Sequence, residues 1–278
     1  MILREPCLPP GWYPRQKAAV EEFLKPFSER AGMEAAAALA PHAGWYYSGV
    51  TAAKAVSALD PKAETVAVIG GHLPEGMPVL IAGEDGVKTP LGVMEIDAEL
   101  RSEFEKNVSY KPDRDRDNTV EVLLPMVHYF FPKARLLWLR FPADPLSYDA
   151  GITLGKAAKA LGRKIAVLAS TDLTHYGANY GFSPKGLGAA SLEWVKKVND
   201  AAFIAAVLEG DPRLVLERAG RDFSSCSAGA VLGALGFTAG KGSESRRLLD
   251  YRTSADADDS PSVPSSFVGY AAVSFGNK

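Results

Sequence analysis

Cysteine and histidine are scarce in this 278-residue chain: two of the first, Cys7 and Cys226, and four of the second, His42, His72, His128 and His175. Two cysteines make no disulfide framework, so a reducing cytoplasm is the expected compartment. No apolar run approaches the roughly 20 residues needed to span a bilayer. The alanine-rich "AAAALAPHAGW" is too short and is broken by Pro41. Net charge is also small, −2. It gives no electrostatic reason to expect nucleic acid or an anionic membrane as a partner. The opening "MILREPCLPPGWYP" has no basic segment followed by a long apolar one, so no secretory leader is expected. Repeats of 20–50 residues are absent.

What is present is ordinary globular composition, 47% hydrophobic and 23% charged. The length fits one large domain or two small ones. "MEAAAALAP", "ETVAVIGG", "MPVLIAG", "ARLLWLRF" and "KIAVLAST" read as strands. The first ends in extended backbone before Pro41, and the second stops at two glycines. "RQKAAVEEFLKPF", "GVTAAKAVSAL" (beginning near Ser48 and Gly49), "AELRSEFEKN" (capped by Asp97), "SYDAGITLGKAAKALG" and "AGAVLGALGFTAG" read as helices. "VEVLLPMVHYF" is a helix kinked by Pro125 or starting near it. "GLGAASLEWVKKVNDAAFIAAVLEG" reads as one long helix or a pair, followed by the helix "DPRLVLERAG". "SRRLLDYRTS" and "FVGYAAVSF" are strand-like. Alternation of this kind predicts a layered α/β fold, a central and mostly parallel sheet flanked by helices.

In such sheets ligands sit beyond the C-terminal strand ends. His42, His72 and Asp172 each fall within a few residues after a predicted buried strand, which places them at one crevice. Taken singly, each residue has an ordinary explanation. His42 packs on Trp45, and His72 sits in a glycine turn. Asp172 caps a turn, with His175 facing solvent, and Cys226 is a buried thiol near a helix start, beside the potential caps Ser224 and Ser225. Taken together, two imidazoles and one anionic group are a standard set for holding a transition metal with positions left open. A spare histidine beside a carboxylate serves acid–base chemistry there. His128, amid "PMVHYFFP", reads as a packed or surface histidine.

The ordered segments "PHAGWYYSG", "KTPLGVMEID", "STDLTHYG", "YGFSP", "SSCSAGAV" and "LLDYRTSAD…SFVGYAAVSF" resemble the Memo family, known in prokaryotes as AmmeMemoRadiSam system protein B. The resemblance implies a single domain over residues 1–278. It also implies a fold like the catalytic subunits of class III extradiol dioxygenases, which hold Fe(II) with two histidines and a glutamate. Carried over, it makes His42, His72 and Cys226 the metal ligands and His175 the acid–base histidine, with Asp172 beside it. Two departures stand out. "GGH" replaces the family's longer "GPSH" before His72, and Asn118 stands where a histidine is usual.

Three functions remain open on this reading. The first is a non-haem oxidoreductase, with Fe(II) favoured over Cu or Zn. The second is a metal- or ligand-binding regulatory protein with a vestigial dioxygenase site, taking a small molecule or a peptide between Trp45, Tyr46, Tyr47 and Tyr176. The third is a metal-dependent hydrolase. The long alanine-rich and aromatic helices offer faces for an oligomer.

Overall fold

The computed structural model describes residues 1–29, 33–242, 245–257 and 262–276. Four aliphatic runs form the parallel centre of a large sheet: Ala35–Ala40, Ile165–Ser170, Thr65–Leu73 and Arg135–Pro142, adjacent in that order. They are covered on both faces, which is why they read as continuous apolar runs rather than as alternating ones. Every residue of Ile165–Ser170 is buried. Ser266–Gly276 adds on antiparallel beside Ala35–Ala40 and itself carries Arg246–Thr253 and the short His175–Gly177. At the other edge Val79–Ile81 and Tyr110–Pro112 complete the sheet. A second sheet joins Leu3–Arg4, Gly86–Thr89 and Gly92–Glu95. The architecture is the layered α/β one expected: a central, mostly parallel sheet flanked by helices.

The pleat sends alternate side chains of each strand to opposite faces. Leu39, Val167, Ile69 and Leu139 meet the helices Leu146–Ala160 and Ala228–Ala239 on one side. Ala40, Leu168, Val68 and Trp138 meet Lys17–Leu24, Trp45–Ser57 and Leu124–Phe130 on the other. Each fully buried Leu, Ile or Val contributes about 1.5–3 kcal/mol, so these two faces dominate the stability. Leu146–Ala160 and Ala228–Ala239 touch through their backbones: a Cβ on Gly236 would lie 1.9 Å from the Tyr148 carbonyl oxygen. Among the described residues no helix is long and apolar enough to cross a membrane.

Three local expectations change. The helix read from Ser48–Gly49 begins four residues earlier, at Trp45. Trp45 is buried and its indole N–H donates to the Val122 carbonyl (2.9 Å), so packing draws the aromatic turn into the helix. The strand Thr65–Leu73 does not stop at Gly70 and Gly71; pairing resumes at Leu73 opposite Pro142. The run 189–209 is a helix with a π-helical segment, Val195–Asn199, at its middle.

Candidate metal centre

Strand order builds the site. Ile165–Ser170 lies between Ala35–Ala40 and Thr65–Leu73, and all three point the same way. Their C-terminal ends therefore deliver His42 and His72 to either side of Asp172. Cys226 reaches the same point from the segment ahead of Ala228–Ala239, its N–H donating to the Asp172 carbonyl (3.3 Å). A nitrogen of each imidazole and the Cys226 sulfur lie within 4.8 Å of one another. Metal–nitrogen and metal–sulfur bonds of ~2.0–2.3 Å place neighbouring tetrahedral ligands roughly 3.5 Å apart. The 3.3 Å between His42 Nε2 and Cys226 Sγ matches that spacing. The donor set thus fits a single transition metal ion.

Both imidazoles are held by their other nitrogen. His42 Nδ1 meets Ser170 Oγ (2.9 Å), and His72 Nδ1 meets Asp117 Oδ2 (2.9 Å). Each ring thereby turns its other nitrogen toward the Cys226 sulfur, the arrangement that fixes tautomer and raises ligand basicity. Asp117 is itself held by Thr119 and lies 3.4 Å from Arg140, whose Nε–H donates to the Gly71 carbonyl (3.0 Å). His72 adopts a left-handed backbone, φ 58°, unusual for a residue with a side chain and of a kind that concentrates at functional sites. Gly71 before it packs on Ser227: a Cβ there would lie 2.3 Å from Ser227 Cβ. The shortened "GGH" stretch therefore still carries His72 to the cluster.

Charge is arranged accordingly. Burial alone would raise the Cys226 thiol, but the His42 and His72 imidazoles outweigh it and hold it well below the usual thiol range. Burial opposes charge on both imidazoles too. Asp172 and Cys226 nonetheless raise His42, and Asp117 with Cys226 push His72 up to about 10. Without metal these contacts favour the thiolate at Cys226 and the charged form of both imidazoles.

Asp172 is not a turn cap. Its Oδ1 accepts the His42 N–H (2.7 Å), and its Oδ2 lies 3.9 Å from both His42 Nε2 and His175 Nε2. One buried carboxylate thus stands between a cluster imidazole and His175. His175 lies in a short strand opposite Val268, its ring tilted against Tyr180 with centroids 4.9 Å apart. Its Nε2 is shielded from solvent and, among the described residues, has no hydrogen-bond partner.

These groups open into a cavity of about 690 Å³ lined by His42, His72, Asp172, His175, Asn118, Tyr47, Tyr180 and Tyr270. Asn118 donates to the His42 carbonyl (3.0 Å). Tyr47 supplies wall as expected; Trp45 and Tyr176 are buried in the core and Tyr46 does not line the cavity. The N-terminal strap Pro10–Gly11–Trp12 forms another wall. It is pinned by buried Glu121, which accepts from Cys7 N–H (2.8 Å), Cys7 Sγ (2.8 Å), Leu8 N–H (3.1 Å) and Tyr13 O–H (2.8 Å). His128 is packed against Thr89 Oγ1 (2.7 Å), away from the cavity. Ser227, not Ser224 or Ser225, precedes the helix after Cys226.

Asp117, Ser170, Tyr180 and Glu121 were not singled out from sequence. Only Asp117 carries a local signal, an Asp-x-Thr start to the helix Asn118–Glu121.

The family model of Memo-like proteins matches residues 4–274. The chain belongs to the Memo family. Relatives in this family include a MEMO1 family protein of Pyrococcus abyssi, 31% identical over 98% of this chain and 99% of that protein. Another, from Methanococcoides burtonii, is 30% identical over 98% of this chain and 99% of its own. Among solved structures, an uncharacterized protein of Escherichia coli K12 aligns with 85% of this chain and 98% of its own at 11% identity, TM-score 0.39.

Proposed function

We propose that this Memo-family chain holds one transition metal ion on His42, His72 and Cys226 and performs non-haem redox chemistry in the crevice above it. The observation that carries the reading is the mutual approach of those three donor atoms, within 4.8 Å, at the floor of an open cavity. Two imidazoles and a thiolate suit iron, copper and zinc alike; the resemblance to ring-cleaving dioxygenases favours iron(II). Such an ion supplies electron transfer at positions left open to O₂ or an oxygenated substrate.

The chain's own residues then divide the remaining work. Ser170 and Asp117 keep both imidazoles in register. His175, with an unengaged Nε2 facing Asp172, gives or takes a proton at the cavity wall. Asp172 favours the charged form of that imidazole and, through the His42 N–H, ties its position to the metal site. Tyr47, Tyr180 and the Pro10–Trp12 strap shape the space for a small substrate.

Metal analysis of protein purified without oxygen tests this. One equivalent of iron, lost in His42→Ala and Cys226→Ala, is the expected result. Protein that takes up neither iron, copper nor zinc sinks both this reading and the hydrolase one. Full metal loading with no redox turnover of oxygenated substrates leaves the metal-binding regulatory and hydrolase roles.

A further inference from the structure

Asp200 is fully buried, and no cation lies within ion-pair distance of it among the described residues. Two of the three hydrogen bonds its side chain accepts bear on one place. Oδ1 accepts the Thr174 N–H (3.1 Å) and the Thr174 hydroxyl; Oδ2 accepts the Tyr251 hydroxyl (2.7 Å). Neighbouring Asn199 donates to Thr174 Oγ1 (2.9 Å) and to the Asp222 carbonyl (2.9 Å). Thr174 directly precedes His175. From the opposite side, the strand Ser266–Gly276 grips the same loop: Leu173 N–H donates to the Gly269 carbonyl (2.8 Å), and Gly269 N–H to the Thr174 carbonyl (3.0 Å). Gly269 has no alternative, because a Cβ there would lie 1.9 Å from Asp200 Oδ2.

The backbone that delivers Asp200 is itself unusual. Asn199 closes the π-helical segment Val195–Asn199, and Asp200 follows it. Such segments are rare and frequent at functional sites. The wider turn changes the direction in which the following side chains leave the helix, since each α-helical residue turns by about 100°. It brings Asn199 and Asp200 together onto Thr174. Packing alone does not call for this arrangement. An uncompensated buried carboxylate is costly, and burial pushes this one up to about 6. A neutral amide would accept from the same donors at lower cost.

We propose that Asp200 is a positioning residue for His175: through Thr174 it fixes where that imidazole stands in the crevice. The inference rests on the reading of His175 as the crevice's proton carrier, but its test needs neither metal nor turnover.

With four histidines in the chain, the imidazole Cε1–Hε1 resonances of metal-free full-length protein are resolvable, and His175→Gln assigns one of them. Asp200→Ala is expected to move the His175 resonance and abolish its contact with the Tyr180 ring, leaving His42, His72 and His128 in place. Amide exchange at Thr174 should accelerate about tenfold or more, as for loss of a hydrogen bond to a charged group. Asp200→Asn, which keeps an acceptor for Thr174, restores all three readouts. Tyr251→Phe removes the other hydrogen bond to the same carboxylate; it should lower Tm without moving His175. Should Asp200→Ala fail to fold, Thr174→Val, which loses the hydroxyl's bonds to Asp200 and Asn199, decides the matter by the same His175 shift, with Asn199→Ala, which should leave His175 unmoved, as its control. An unmoved His175 resonance in folded Asp200→Ala or in Thr174→Val overturns the proposal. So does a shift in Tyr251→Phe that scales with its loss of Tm, which marks a merely structural role. Protein that binds no metal yet shows the expected His175 displacement sinks the metal reading and leaves this one standing.

Discussion

His42 Nε2 stands 3.3 Å from Cys226 Sγ, a contact that spans 184 positions of chain. Neither partner keeps its ordinary protonation: the thiol is held well below its usual range and the imidazole above its own. Metal ligation requires the opposite of the second, a neutral imidazole. Metal uptake at pH 7 should therefore expel at least the proton held by His72, whose imidazole is pushed up to about 10. Calorimetric titration with zinc in buffers of differing ionisation enthalpy measures the number. Uptake without proton release contradicts the imidazolium assignment.

Asp117 should matter nearly as much as a ligand. Asp117→Ala removes the acceptor at His72 Nδ1 and frees Arg140 from its partner there. Metal affinity is expected to fall roughly 10–100-fold, measured by competition with a chromophoric chelator. Asp117→Asn, which retains an acceptor, should lose less. Equal affinity in all three proteins removes the orienting role.

Cys7 should be sluggish toward thiol reagents. Burial first, and then contact with the Glu121 carboxylate, push its thiol up to about 11, so little thiolate exists near pH 8. In a Cys226→Ala background, Glu121→Ala should speed its reaction with a disulfide reagent severalfold. It should also destabilise the fold by about 1–3 kcal/mol, since it leaves buried donors unpaired. An unchanged rate means the strap is held by other contacts.

Asp200 gives the pH test with a definite sign. Its carboxyl is raised from an ordinary 3.8 to about 6 by burial, with hydrogen bonds from Thr174 and Tyr251 and the nearby His175 imidazole opposing. Across that window the unfolded chain ionises while the folded one keeps its proton, so this group costs stability as pH rises from about 4 to 6 and no further above. The stability of Asp200→Asn relative to wild type should climb over the same interval and then level off. Urea denaturation at stepped pH reads the difference; a flat difference rules out the raised value.

Much of this was legible in the sequence because the central strands are buried on both faces. "TVAVI" and "IAVLAS" carry no solvent-facing pattern to confuse them with helix. Three polar groups following three such runs were enough to place His42, His72 and Asp172 at one end of a sheet. What escaped was set by tertiary contact. The Thr119 that follows "KPDRDRDN" marks Asp117 as a helix cap, but nothing there shows that it, rather than Asp113 or Asp115, meets His72 until the chain is folded. Asp172 resembled a turn cap because the N–H it accepts belongs to a residue 130 positions away. The π-helical segment has no composition of its own, and the aromatic start of Trp45–Ser57 depends on the Val122 carbonyl that receives the indole.

The placement of Ser266–Gly276 also bears on folding. This strand lies between the one that carries His175 and the one that ends before His42. Its partners are distant in the chain, Val268 opposite His175 and Val273 opposite Leu39, and long-range pairings of this kind form slowly. One strand thus sets the register of two walls of the crevice, and the crevice is expected to take shape late in folding.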